Sequence, residues 1–149
     1  MAAVSSVPFQ TTHQVRDTCV CLHLQRAARV IGRRFDEAFR RIGLTNGQFS
    51  LLMALNQPAP PAMGAVARLL GMDRTTLTAA LKPLRQGGLV EVASNATDLR
   101  TRHLTLTEAG RAALAEAVPI WRDTHGAIEQ ELRSSPDALR AALRMLGTR

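Results

Sequence analysis

The sequence predicts a mainly helical protein carrying one small β-hairpin, and three observations lead there. Apolar residues recur at threes and fours over most of the chain, the period of amphipathic helices. Only Leu89–Ala93 and Arg102–Leu106 read as strands, and the polar tip 94–101 between them makes the pair a hairpin. Capping residues and glycines stand where the helical runs begin and end. At 149 residues and 16.2 kDa the chain is one domain in size. With 46% hydrophobic and 21% charged residues it holds enough apolar surface to offset chain entropy, which excludes global disorder.

Nineteen lysines and arginines against twelve acidic residues give a formal charge of +7 and a pI near 11.3. Such an excess suits a polyanionic partner, either nucleic acid or an anionic membrane surface. Lys82 is the sole lysine, and the arginines suit planar phosphate recognition. No apolar run approaches the ~18 residues of a transmembrane helix. The start MAAVSSVPFQ lacks the basic and apolar regions of a signal peptide, so a cytoplasmic protein without membrane attachment is expected. Aromatics are 3% and tyrosine is absent, which argues against a stacking platform for single strands and leaves duplex binding open. Cys19 and Cys21 make no disulfide framework, and on one helix their spacing would set them roughly 200° apart.

Taken in order, a loose N-terminus precedes an apolar stripe of Leu24, Ala27, Ala28, Ile31, Phe35, Ala38, Phe39 and Ile42, which stops near Gly43. Its other face carries the row Arg26, Arg29 and Arg33, either solvated or lining an anionic ligand site or a phosphate track. Thr45 and Gln48 have capping-box spacing, predicting a helix over Asn46–Asn56 with Phe49, Leu52, Met53 and Leu55 buried. The proline-rich stretch 57–62 ends it. A short helix over Met63–Leu70, a turn at Gly71 and Met72, and a helix opened by Asp73 follow. That helix turns Leu77, Leu81 and Leu84 inward, should bend at Pro83 and ends at Gly87 and Gly88. After the hairpin, Thr107 caps a long helix with a seam of Leu114, Val118, Trp121, His125, Ile128 and Leu132. Ser135 and Pro136 start a last helix with Leu139, Ala142, Leu143 and Leu146 on one side. Terminal apolar helices in so short a chain favour a dimer interface over a second core.

With Gly71 as the turn glycine, Ala67 falls where a small side chain lets two helices cross, and Val66, Leu70, Met72 and Leu77 fall on bihelical core positions. The hairpin that follows is the other half of a winged helix. The run LLGMDRTTLTAALKPLRQGGLVEV, then DLRTRHLTLTEAG, resembles the MarR family of bacterial winged-helix regulators over about Val15 to Leu146. The most specific tract is LTLTEAG after D-x-R-x-R. The resemblance implies a winged helix-turn-helix lobe, 45–107, between dimerisation helices, 12–42 and 108–147. A homodimer would place a recognition helix in the major groove and a wing tip in the minor groove of a pseudo-palindromic operator. The expected role is a nucleoid-associated transcription regulator that represses by occluding polymerase.

On the recognition helix, Arg74, Thr75, Thr76, Thr78 and Lys82 lie away from the leucine stripe. Arginine can fork onto guanine and threonine can touch a thymine methyl, so the first four are expected at bases or adjacent phosphates and Lys82 at phosphate. Arg100 matches the family arginine that enters the minor groove, where a narrow A·T tract concentrates negative potential. Asp98 would orient it, since a carboxylate facing phosphates is repelled. Arg102 either contacts DNA or braces Asp98. Family wings often carry further basic residues where Ala93, Ser94 and Asn95 stand here.

Two modes of control are expected, a redox switch and a small aromatic or anionic effector. Cys21, eight residues before Arg29, sits where the organic-hydroperoxide-sensing branch of the family places its reactive cysteine, although that branch's partner tyrosines are absent. Arg16 and His23 give Cys19 the more electropositive setting, while Asp17 opposes thiolate formation at Cys21. Either cysteine could instead be a small buried hydrophobe. An effector is expected among the first helix, Phe49, Met53 and Trp121, with Arg26 and Arg29 as partners for a carboxylate. No metal is expected, because Cys19 and His23 lack completing ligands. No enzyme is expected either, since neither Asp nor Asn can be assigned to orient that pair, and no cofactor is implied. The rivals are a sequence-independent architectural DNA binder and a winged helix used for protein interaction.

Overall fold

The computed structural model describes residues 6–94 and 101–147, and divides the chain into two compact units, Met1–Arg34 and Phe35–Arg149. In the first unit a helix stands within the segment expected to be loose. Helix α1 spans Phe9–Thr18, Cys19 is extended with ψ 107°, and α2 starts at Val20 and runs to Phe39. Cys19 links the two helices, its N–H bonding the Val15 carbonyl and its carbonyl accepting from His23 N–H. The expected burial along the stripe is realised only at its end: Phe35 and Phe39 are buried, whereas Leu24 and Ile31 are exposed.

The second unit holds the core. A short 3₁₀ turn, Arg40–Ile42, leads to α3 (Asn46–Leu55), which opens with the expected capping box: Gln48 N–H bonds Thr45 Oγ1 and Thr45 N–H bonds Gln48 Oε1. Helices α4 (Met63–Leu70) and α5 (Arg74–Gln86) flank a turn at Gly71. There φ is +64°, the Gly71 N–H reaches the Arg68 carbonyl at 3.2 Å and the Met72 N–H reaches the Ala67 carbonyl at 2.9 Å. This is a Schellman turn, and only glycine takes its left-handed residue without strain. Helix α5 continues through Pro83 to Gln86.

Strands β1 (Val90–Ser94) and β2 (Arg102–Leu106) pair antiparallel with Val92 opposite Leu104. The proline-rich loop adds a bridge to β2 near its tip end, Ala62 against His103, with Leu104 N–H on the Pro61 carbonyl at 3.0 Å. Helix α6 (Glu108–Glu131) is clamped to the start of β1 by Thr107, whose hydroxyl donates to Gly88 O at 2.6 Å and accepts from Gly110 N–H at 3.0 Å. A Cβ on Gly110 would stand 2.1 Å from the Leu89 carbonyl oxygen, so the close approach requires glycine. Within the core, Phe39, Leu52, Leu77, Leu104 and Ala117 are fully buried. On α6 the buried residues are Gly110, Leu114, Ala117 and Ile120, while Val118, Trp121, His125 and Ile128 of the expected seam are half-buried. Helix α7 (Pro136–Gly147) buries nothing. Among the described residues no helix is long and apolar enough to cross a membrane.

Candidate nucleic-acid interface

Burial on one side of α5 dictates what the other side offers. Leu77, Leu81 and Leu84 anchor it in the core, which turns Arg74, Thr75, Thr78, Lys82 and Arg85 outward. With Ala79 these line a shallow groove of about 620 Å³. A second groove, of about 630 Å³, lies between the end of the helix at Lys82, Arg85 and Gln86 and the Val90–Ala93 edge of the hairpin. Arg85 belongs to both and was not singled out from the sequence, although its place three residues after Lys82 puts it on the same helical face.

The helix start is fixed by Asp73, whose Oδ1 accepts from Thr76 N–H at 2.7 Å. The Thr76 N–H, followed by its hydroxyl, holds the Asp73 carboxyl below its ordinary value. The Thr76 hydroxyl is thus engaged in the cap. Thr78 also bonds locally, donating to the Arg74 carbonyl at 2.8 Å, which leaves its lone pairs and methyl facing out. Arg74 and Thr75 stand exposed on the first turn. In the hairpin, Arg102 is exposed opposite Ser94. Asp98 and Arg100 lie outside the described residues.

A different groove, of about 540 Å³, lies between α3, α4 and α6 and is lined mainly by apolar side chains: Phe49, Met53, Leu69, Leu70, Val118 and Trp121. Arg122 is its basic residue and was missed in the sequence, where nothing marks it off from the other arginines. Met53, expected to be buried, is 41% exposed, because α3 turns Leu51, Leu52, Ala54 and Leu55 into the core instead. Aromatic rings connect the core to this groove: Phe39 to Phe49 at 4.9 Å, Phe49 to Trp121 at 6.4 Å, and Trp121 to His125 at 4.8 Å. Arg26 and Arg29 are exposed in the first unit.

The cysteine environment differs from expectation in two respects. Cys19 is extended rather than helical, so the 200° argument against its facing Cys21 no longer applies. Arg16 is bonded by two nitrogens to the Asp17 carboxylate, at 2.6 and 2.8 Å, and His23 Nε2 lies 3.2 Å from the Asp17 carbonyl. The cation expected to favour a Cys19 thiolate is therefore already paired. Cys19 is half-buried; Cys21 is exposed, its Sγ 3.4 Å from Gln25 Nε2.

A helix pair closed by a glycine turn, a capped second helix with a basic face and an adjoining hairpin form a winged helix-turn-helix, and known proteins share it. The transcriptional regulator MosR of M. tuberculosis, solved in complex with DNA, is 38% identical and superposes with a TM-score of 0.80, covering 87% of this chain and 94% of that one. BpsR of Bordetella bronchiseptica, whose DNA binding is regulated by 6-hydroxynicotinic acid, is 26% identical with a TM-score of 0.71, over 85% of this chain and 89% of that one. The transcriptional activatory protein BadR of Rhodopseudomonas palustris is 31% identical over 91 residues; the match spans 59% of this chain and only 52%, about half, of that relative. These relatives are regulators of transcription rather than enzymes. The sequence profile of the MarR family matches residues 42–101, the stretch holding the helix pair and the first strand. Fold, family profile and relatives agree: the chain belongs to the MarR family of transcriptional regulators.

Proposed function

We propose that the protein is a dimeric, sequence-specific binder of duplex DNA that represses transcription until a small-molecule effector or cysteine oxidation releases it. The observation that carries this is the outward row Arg74, Thr75, Thr78, Lys82 and Arg85, held rigid by a fully buried leucine stripe on the same helix. A rigid helix with a forked cation at its N-terminal turn and cations at its far end can read base edges and hold phosphates together. The DNA-bound state of MosR supports the same reading. Lobe 45–107 would do the reading, with helices in 12–42 and 108–147 joining two copies over the exposed apolar faces of α1, α2 and α7. Repression follows from occlusion of a promoter; BadR, named as an activatory protein, marks the opposite sign as the outcome that would overturn it.

The α3–α4–α6 groove supports the effector half: its aromatic walls suit a flat ring and Arg122 suits a carboxylate, in keeping with the aromatic acid that regulates BpsR. Exposed Cys21 and half-buried Cys19 are the residues proposed for oxidation. The cytoplasm, at the nucleoid, is the proposed location.

The test is binding to the inverted repeat upstream of the gene, against random duplex. A regulator should prefer its site by ~10³ or more, and equal affinity would instead establish an architectural binder. Arg74→Ala and Arg100→Ala should each weaken that preference while the dimer persists; parental binding in both overturns the reading. Oxidative release should vanish when Cys19→Ser and Cys21→Ser are combined.

A further inference from the structure

Trp121 is the only tryptophan in the chain, and it faces two ways. It lines the α3–α4–α6 groove, and it stacks on His125 one turn along α6, with centroids 4.8 Å apart and planes 9° from parallel. His125 does not itself line the groove. Its Nε2 lies 3.2 Å from the Glu129 carboxylate, one turn further on. That carboxylate also accepts from Arg140 of α7, whose second terminal nitrogen reaches Asp137 at 2.7 Å. An unbroken line of contacts therefore joins Phe49 on α3, Trp121, His125, Glu129 and Arg140 on the C-terminal helix.

We propose that His125 is a proton-responsive positioning residue for the groove: once protonated, it is clamped between the Trp121 indole and the Glu129 carboxylate and so ties the ligand-facing wall to α7. The inference rests on the effector reading of that groove. Its physical basis is that one proton strengthens two contacts together. A cationic ring gains from the electron-rich face of an indole, and its attraction to Glu129 changes from a hydrogen bond to an ion pair. The charged neighbours are Arg122 and Glu129 on α6 and Asp137 and Arg140 on α7; no ionisable side chain of α3 or α4 lines the groove. Arg122 and Arg140 oppose the cation, Asp137 favours it from behind Arg140, and Glu129 is in direct contact. The Arg140 guanidinium, and after it the His125 ring, hold the Glu129 carboxyl below its ordinary value, so it stays anionic where an imidazole changes charge. A pinned indole presents a pre-organised aromatic wall, which favours a flat anionic ligand at lower pH.

The experiment follows Trp121 emission of the intact protein from about pH 8 to about pH 5 without ligand or DNA, the range in which histidine titrates. Protonated imidazole quenches a stacked indole, so a single step is expected. His125→Gln should remove it. Glu129→Gln, which deletes the anion, should move the midpoint down; Arg140→Gln, which leaves the Glu129 charge to His125 alone, should move it up. A merely structural role would not shift these midpoints, and a flat profile or an unmoved midpoint in Glu129→Gln overturns the proposal. In a second arm, calorimetry with 2-naphthoate should show binding about two- to fivefold tighter at the acid end in the parent, and equal at both ends in His125→Gln. Binding that ignores pH in the parent overturns the coupling to the groove. If 2-naphthoate fails to bind at all while the emission step remains, the effector reading falls and the His125 clamp stands.

Discussion

On α5, Leu77, Leu81 and Leu84 are at most 2% exposed, whereas on α7 the same spacing leaves Leu139 at 40%, Leu143 at 41% and Leu146 at 61%. The two helices are of similar length and equally amphipathic in pattern. They differ in what lies opposite. Helix α5 packs against α3, α4 and β1 within one chain, so its polar face is oriented without help. Helix α7 and the outer turns of α1 and α2 bury nothing in the single chain, and apolar surface of that extent is usually covered by a partner. Under the proposed function, the DNA-reading face is prepared inside one copy, while the spacing between two such faces is left to assembly.

The sharpest way to break this contrast is Leu139→Asp with Leu143→Asp. If α7 joins two copies, light scattering should show a monomer with an intact lobe by circular dichroism. Operator affinity should then fall about 10²–10⁴-fold, because the second half-site is no longer bound as part of the same particle. Retention of the dimer would mean that α7 is not part of the clasp.

Leu77→Ala addresses the opposite region. Its side chain is fully buried, and truncation should cost about 2–5 kcal/mol in chemical denaturation. Effects confined to association would contradict the contrast between α5 and α7. Smaller again is Arg85→Ala, which should lower the logarithmic salt slope of operator binding by about 1 if the residue neutralises one phosphate, with little change in sequence preference.

The smallest expected effect concerns the α5 cap. Because Thr76 holds the Asp73 carboxyl below its ordinary value, the cap stabilises the folded state fully above the usual carboxylate range of about 4. That contribution is lost as pH falls through the folded value. Asp73→Asn keeps an acceptor that does not titrate, so the shift in urea midpoint between about pH 7 and about pH 3 should be smaller than in the parent. An unchanged shift would remove Asp73 from the acid response.

Local chemistry made much of the winged helix-turn-helix legible. The capping box at Thr45 and Gln48, the glycine turn at Gly71, the Asp73 cap and the Arg102–Leu106 strand depend on neighbours within a few residues, and each stands as expected. Long-range placement was not legible. Met53 was expected inside, and its exposure depends on where α6 and α4 lie beside α3. Helix α1 was overlooked because it has no buried side to impose a pattern. Arg122 and the stacking of Trp121 on His125 gain meaning only from the groove beside them.

By itself the sequence determined the order of the helices, the hairpin, the leucine stripe and the basic row opposite it, because capping, turn chemistry and periodicity are set by residues close along the chain. The tertiary structure alone decided which apolar faces find cover, that Arg85 joins two grooves, that Trp121 and Arg122 line a groove with α3 and α4, and that Arg140 of α7 reaches Glu129. Those outcomes depend on distances between segments, and a pattern of residue types carries periodicity but not distance.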